Sequence, residues 1–163
     1  MKLAQLRKSQ KGFTLIELLV VIGILAVLLA ITLIAINPAR QFSQANNTKR
    51  SSDVNAILNA VGQYAADNKG ALPPGIDAAC TPADPCTITN DTGIAARADF
   101  CAVLTSQYMA ALPVDPLTNN GSPVTNCGAT YNTNYTIGRS TSDSRITVAA
   151  PAAELSQTIS VTR

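Results

Sequence analysis

Residues Lys11–Val21 read KGFTLIELLVV, and one of them decides how the chain is understood. Glu17 is a carboxylate set inside a run that is otherwise ready to enter a membrane. Leu18 to Ile36 follows it, nineteen residues without a charge. At about 1.5 Å per residue, that length crosses a hydrocarbon core of about 30 Å. A charge at mid-helix in hydrocarbon costs roughly 2.5–3.5 kcal/mol on insertion scales. Glu17 therefore needs a partner that offsets the cost, or a route out of the lipid.

The rest of the 163-residue chain, one domain's worth by length, narrows the choice. Lys2, Arg7, Lys8 and Lys11 give the first twelve residues a charge of +4, and the remainder carries −2. A short basic segment ahead of an apolar run is a cytoplasmic anchor by the positive-inside rule. It is not the basic patch on a folded body that nucleic-acid binding requires. An ordinary secretory signal has an apolar stretch of roughly 7–15 residues and then an A-x-A-like site. Here the stretch is longer, and Ile36-Asn37-Pro38-Ala39-Arg40 offers no such site. On these residues alone, an uncleaved signal anchor remains open.

Four cysteines, Cys80, Cys86, Cys101 and Cys127, all lie beyond the span. An even count in an exported region favours disulfides, and the absence of histidine and of any C-x-x-C pair weakens the metal alternative. Three pairings are possible. Cys80 with Cys86 would close a loop over TPADP, and Cys101 with Cys127 would then tie a helix to a later loop.

Hydrophobic periodicity supplies the elements. The apolar span meets Asn37-Pro38, where a kink or local break is expected because proline removes a helical hydrogen bond. From Ala39 to Asp53 the sequence is polar, with little that could form a core. Val54, Ile57, Leu58, Val61, Tyr64 and Ala65 then form one helical stripe. Gly70 is a C-cap candidate after DNKG, and Pro73-Pro74 prevent a restart. A helical rod over Phe13–Asn68 is expected, followed by loop from Leu72 to Ala95 and a second helix over Arg97–Ala111. Three strands, near Tyr135–Arg139, Arg145–Ala150 and Thr158–Thr162, alternate apolar and polar residues. STSDS makes the first hairpin turn. The predicted fold is α+β: a long N-terminal helical rod packed on a small antiparallel sheet.

KGFTLIELLVVIGILAVL, behind the basic leader MKLAQLRKSQKG, resembles the N-terminal signature of bacterial type IV pilins and type II secretion pseudopilins. Close similarity covers Lys11 to Ala35, and a weaker likeness runs through SDVNAILNAVGQYAADNKGALP. The resemblance implies a pilin-like fold and cleavage after Gly12 by a prepilin peptidase, with methylation of the new Phe13 amine. It places Glu17 as the fifth residue of the mature chain, where the family's membrane glutamate meets the N-terminal amine of a neighbouring subunit. Four segments follow: leader 1–12, membrane and filament-core helix 13–37, amphipathic helix 38–69 and head 70–163. Pro38 marks the kink where such subunits lose helical order, and Gly23 is a candidate for close helix packing.

An enzyme is disfavoured, because a chain without histidine lacks the common triads and zinc sites, and no phosphate-binding loop is present. Arg40, Lys49 and Arg50 are the local basic group outside the leader, and read as a solvated helix face rather than as a contact for nucleic acid. ALPVDP resembles a loop of the major pseudopilins, whose heads bind calcium. Asp115, Asn119 and Asp143 could offer oxygens, but turn chemistry explains them as well, and no metal or other cofactor is expected. The N-x-[ST] triplets at Asn46, Asn90, Asn120 and Asn134 arise readily by chance in such a composition.

The function expected is a structural, self-assembling subunit of a type IV pilus. Its partners would be further copies of itself, the prepilin peptidase, an assembly platform, minor pilins and the membrane. It would sit once-spanning in the inner or cytoplasmic membrane before assembly, and afterwards in an extracellular pilus. The alternatives are a pseudopilin in a periplasmic pseudopilus, a DNA-uptake pilin and a monomeric signal-anchored surface protein.

Overall fold

A computed structural model describes residues 12–76, 79–90 and 98–163. The chain divides into two compact units, Met1–Ala39 and Arg40–Arg163. The first contains helix α1, Leu15–Ala35, in which no residue is buried. Its end is set locally. Ile36 turns to an extended conformation (φ −99°, ψ 112°), and its N–H makes a last bond to Thr32 O at 3.0 Å. Helix α2 (Pro38–Asp67) then starts on the proline, whose missing N–H costs nothing in a first turn.

The second unit is an α+β head. Four strands, β1 (Cys86–Thr89), β2 (Asn132–Arg139), β3 (Ile146–Ala150) and β4 (Ile159–Thr162), form one antiparallel sheet in sequence order. The helix α3 (Ala98–Gln107) lies between β1 and β2 in the chain. Val54, Ile57, Leu58, Ala60 and Val61 of α2 supply one side of the core. Phe100, Cys101 and Leu104 from α3, with Ile88, Tyr135, Ile137, Ile146, Val148 and Ala150 from the sheet, supply the rest. Period 3.6 on the helix meets period 2 on the strands, so each element buries one face. Tyr64 and Tyr108 meet edge to face at 5.7 Å.

Sequence and structure differ in three places. β1 lies in the stretch expected to be loop. It is four residues long, with a bulge between Thr87 and Thr89, so its periodic signal is too short to detect. The second helix ends at Gln107 rather than Ala111, and Arg97 lies outside the described residues. Tyr108 and Met109 close α3 by bonding Leu104 O, after which Leu112 pairs with Val124. The expected stop at Gly70 has a local basis. Lys69 and Gly70 both take positive φ (56° and 89°), and Gly70 N reaches back to Ala65 O at 2.7 Å. Gly138 marks a close backbone approach: a Cβ there would meet Thr81 O at 2.7 Å.

The polar start of α2 holds the largest difference. Arg50 is fully buried, as is Asp115 in the loop before β2. Arg50 Nε donates to Asp115 Oδ2 at 2.6 Å and Nη2 to Oδ1 at 3.2 Å, a two-point grip. Nη1 donates to Glu154 Oε2 and to Asn47 Oδ1, at 2.8 and 2.9 Å. Glu154, in the β3–β4 loop, also accepts from Ser43 and Asn46, while buried Asn47 bonds the Glu154 backbone in both directions. About two turns of helix, Ser43 to Arg50, thus seat two loops by charge and amide pairing instead of by apolar burial. Disulfides join Cys80 to Cys86 and Cys101 to Cys127. The longer link, 26 residues apart, is worth about 3.5 kcal/mol in the loop-entropy account.

Arg50→Ala leaves Asp115 buried without its cation, and the expected loss is roughly 3–5 kcal/mol by denaturant unfolding of the full chain in micelles. Hydrogen bonds from Arg50, then Asn46 and Ser43, hold the Glu154 carboxyl at about 2, below its ordinary 4.5. Its folded value is depressed, so its ionised form stabilises the fold fully above pH 4.5, and that contribution is lost as pH falls towards 2. A Glu154→Gln variant is expected to lose this acid-side slope, read as the difference between the two stability–pH profiles. Superimposable profiles would remove Glu154 from the account.

Candidate processing and assembly site

The N-terminal residues form the site. Gly12 and Phe13 lie outside α1, and Thr14 is its N-cap in an extended conformation (φ −79°, ψ 153°). Thr14 and Glu17 make a complete capping box. Glu17 N donates to Thr14 Oγ1 at 3.3 Å, and Thr14 N donates to Glu17 Oε2 at 2.8 Å. The threonine hydroxyl adds a third bond to Oε2, at 2.7 Å. Spacing decides this: a threonine followed three residues later by glutamate puts the carboxylate over the first turn, where the free N–H groups and the helix dipole favour negative charge.

Glu17 therefore already has donors within its own chain, all on one oxygen. The other, Oε1, has no hydrogen-bond partner among the described residues. A carboxylate in this state has its donor-facing side satisfied and its outer side open to a cation.

Everything beyond Glu17 on α1 suits hydrocarbon. Twenty-one residues form a helix long and apolar enough to cross a membrane. Its other polar side chain, Thr32, returns its hydroxyl to Leu29 O at 2.9 Å, so no donor is left to lipid. Phe13 is 84% exposed, and a Cβ on Gly12 would meet nothing within 4 Å, so the Gly12–Phe13 bond is open to approach. Gly23 likewise has open space around it.

The remaining sequence candidates separate from this site. Arg50 is buried and committed to Asp115, which corrects its reading as part of a solvated face. Lys49 donates to Val114 O and Gly121 O, so the basic group does not form an open cationic patch. Asp115 has given both oxygens to Arg50 and accepts Leu117 N as well, which leaves little for a metal. Asp143 lies 3.7 Å from Arg145 on the surface. Among the described residues, no three acidic or cysteine side chains gather as a metal site. The sequence reading missed the cap, which T-x-x-E signals; the Arg50 cluster had no such signal, because its partners lie 65 and 104 positions away.

The prokaryotic N-terminal methylation motif family matches residues 7–33, which include most of α1; the expected leader lies, but for Gly12, outside the described residues. The motif supports the type IV pilin and pseudopilin class, and with the apolar helix it supports a membrane-anchored protein. No curated protein and no solved structure gives a significant match.

Thr14→Ala is expected to cost the first turn about 1 kcal/mol, with Thr14→Ser restoring it. Amide hydrogen exchange of the full chain in micelles would read this as faster exchange at Leu15–Leu18 and unchanged exchange in the head. Equal rates in wild type and Thr14→Ala would show that the cap does not set the helix start.

Proposed function

We propose that this chain is a structural subunit of a type IV pilus, made as a precursor and processed at its N-terminus. In this reading residues 1–12 are the leader, 13–37 the membrane and later filament-core helix, 38–69 the helix that enters the head, and 70–163 the head. A prepilin peptidase removes the leader after Gly12 and methylates Phe13. The methylation motif points to a structural subunit rather than an enzyme.

One observation carries the proposal: the motif sits on a helix with an apolar side chain facing out on every side and none buried. Such a helix is stable only in hydrocarbon or against other helices of the same kind. A single span could stay in lipid as an anchor. What favours transfer into a bundle is the charge at its start. Glu17 keeps one oxygen open, and a new amine at Phe13 of a neighbouring copy is the cation the motif supplies. Paired, each charge offsets the burial cost of the other; a subunit inserted out of register would leave both unpaired.

The assembly platform and minor pilins belong to the same proposal, as does the passage from the inner or cytoplasmic membrane to an extracellular fibre. The chain is expected to begin at methylated Phe13 in sheared surface fibres, as read by mass spectrometry of its N-terminus. Glu17→Ala is expected to abolish fibres while leaving the head folded. Methylated Phe13 without surface fibres would place the chain in a pseudopilus. A chain beginning at Met1 and confined to membranes would make it a signal-anchored protein. Undiminished fibre yield from Glu17→Ala would remove the ion pair from the mechanism.

A further inference from the structure

The loop from Asp115 to β2 contains a turn that the assembly reading does not use. Asn119, Asn120 and Gly121 take positive φ in succession, 48°, 54° and 67°. The left-handed region is natural for glycine and, among other residues, best tolerated by asparagine, though as single residues rather than in succession. The turn is closed by backbone bonds from Thr118 N to Asp115 O at 2.9 Å, Gly121 N to Thr118 O at 2.8 Å and Ser122 N to Asn119 O at 3.0 Å. Lys49 Nζ donates to Gly121 O at 3.2 Å and ties the turn to α2.

Asn120 is exposed, and its side chain has no hydrogen-bond partner among the described residues. Other asparagines are better held. The Asn46, Asn47, Asn55, Asn68 and Asn90 side-chain amides all donate to protein oxygens. Asn120 is also the chain's only asparagine followed by glycine. A glycine has no side chain to screen its backbone nitrogen from the preceding side chain.

We infer that Asn120–Gly121 is a self-modifying site, at which the chain converts its own asparagine into aspartate and isoaspartate. The Gly121 amide nitrogen bonds to Asn120 Cγ, the bond from Cγ to the side-chain nitrogen breaks, and ammonia leaves with the amide proton. This closes a five-membered succinimide. Water then adds at either ring carbonyl and opens it, giving aspartate or isoaspartate with one new carboxylate.

The turn gates the step. Gly121 N is held by Thr118 O, so ring closure waits until that bond opens, and opening also releases the two asparagines from their left-handed conformation. The product changes the surface locally. A negative charge appears on the turn that Lys49 grips, and isoaspartate lengthens the backbone by one atom in a turn whose closing bonds have fixed spans. Thr118 is bonded to Asp115, so the change lies one step from the buried partner of Arg50.

The test is storage of the full-length protein in detergent micelles at neutral and at mildly alkaline pH, followed by peptide mass spectrometry. The small mass gain of amide-to-acid exchange is expected at Asn120 first, as two separable isomers. Its rate should rise with pH, because the attacking nitrogen must lose its proton, and exceed that of every other asparagine in the chain. Denaturing the protein should speed it further by removing the Thr118 bond. Asn120→Gln, which would need a larger ring, should abolish the gain in that peptide. A gain spread evenly over the asparagines, a first gain elsewhere, or persistence in Asn120→Gln would overturn the inference.

Discussion

The head depends on one buried cation. Arg50 lies in a stretch of α2 with almost no apolar residues, yet it fixes where two loops sit. Five N–H donors on a planar group let it hold Asp115 with two bonds while reaching Glu154 and Asn47 with a third nitrogen. Lysine could not make this arrangement, since its single ammonium has no fixed fork. The Asp115 loop leads into β2, and the Glu154 loop joins β3 to β4, so the cluster sets both approaches to the sheet. Burial adds to the demand. An unpaired guanidinium or carboxylate here would be strongly destabilising, so the loops must close correctly for the head to form at all.

That cluster divides the work between the two halves of α2. Its later half holds the head by apolar burial, through Val54, Ile57, Leu58 and Val61. Its earlier half holds by charge and amide bonds, through Ser43, Asn46, Asn47 and Arg50. Tyr135 joins the two regimes, packing its ring in the core while its hydroxyl donates to Asp53 at 2.8 Å. Burial holds the Asp53 carboxyl above its ordinary value, and that hydrogen bond offsets only part of the rise. The physical result is a helix that adheres to its own head from Ser43 to Tyr64, with Phe42 before that stretch left exposed. Helix α1 is the opposite, with its large apolar residues at least half exposed.

How much of this could be read in the sequence follows from the range of each interaction. The Thr14–Glu17 cap went unread although T-x-x-E signals it, whereas the α1 span and the α2 stripe, patterns of fixed period, were legible. So were the β2–β3 hairpin and the alternation of Ile146, Val148 and Ala150. What else escaped reading was either too short or too distant. Cys86–Thr89 offers one buried residue, Ile88, and no periodicity to detect. Arg50 looks like any exposed helical arginine until Asp115 and Glu154 arrive from far along the chain. Asp115 was visible as a turn residue in LPVDP; its second role, as a buried counter-ion, needs the fold.

The same distinction explains why recognition stops at residue 33. In the proposed assembly, the first thirty-odd residues would have to satisfy partners that vary little in their chemistry: an anionic membrane surface, a hydrocarbon core, a peptidase, and other copies of the same helix. Each constrains residue type at a fixed position, so a short sequence pattern survives. The head answers to a weaker demand, that its own faces be covered. Any set of apolar residues with period 3.6 on one element and period 2 on the other meets it, and a buried arginine can replace part of that set. A fold can therefore be shared where no sequence match remains. The carboxylate at position 17 belongs to the first kind of constraint. Its cap closes the first turn of the helix through one oxygen, and in the proposed assembly the other oxygen is left for a neighbour's amine.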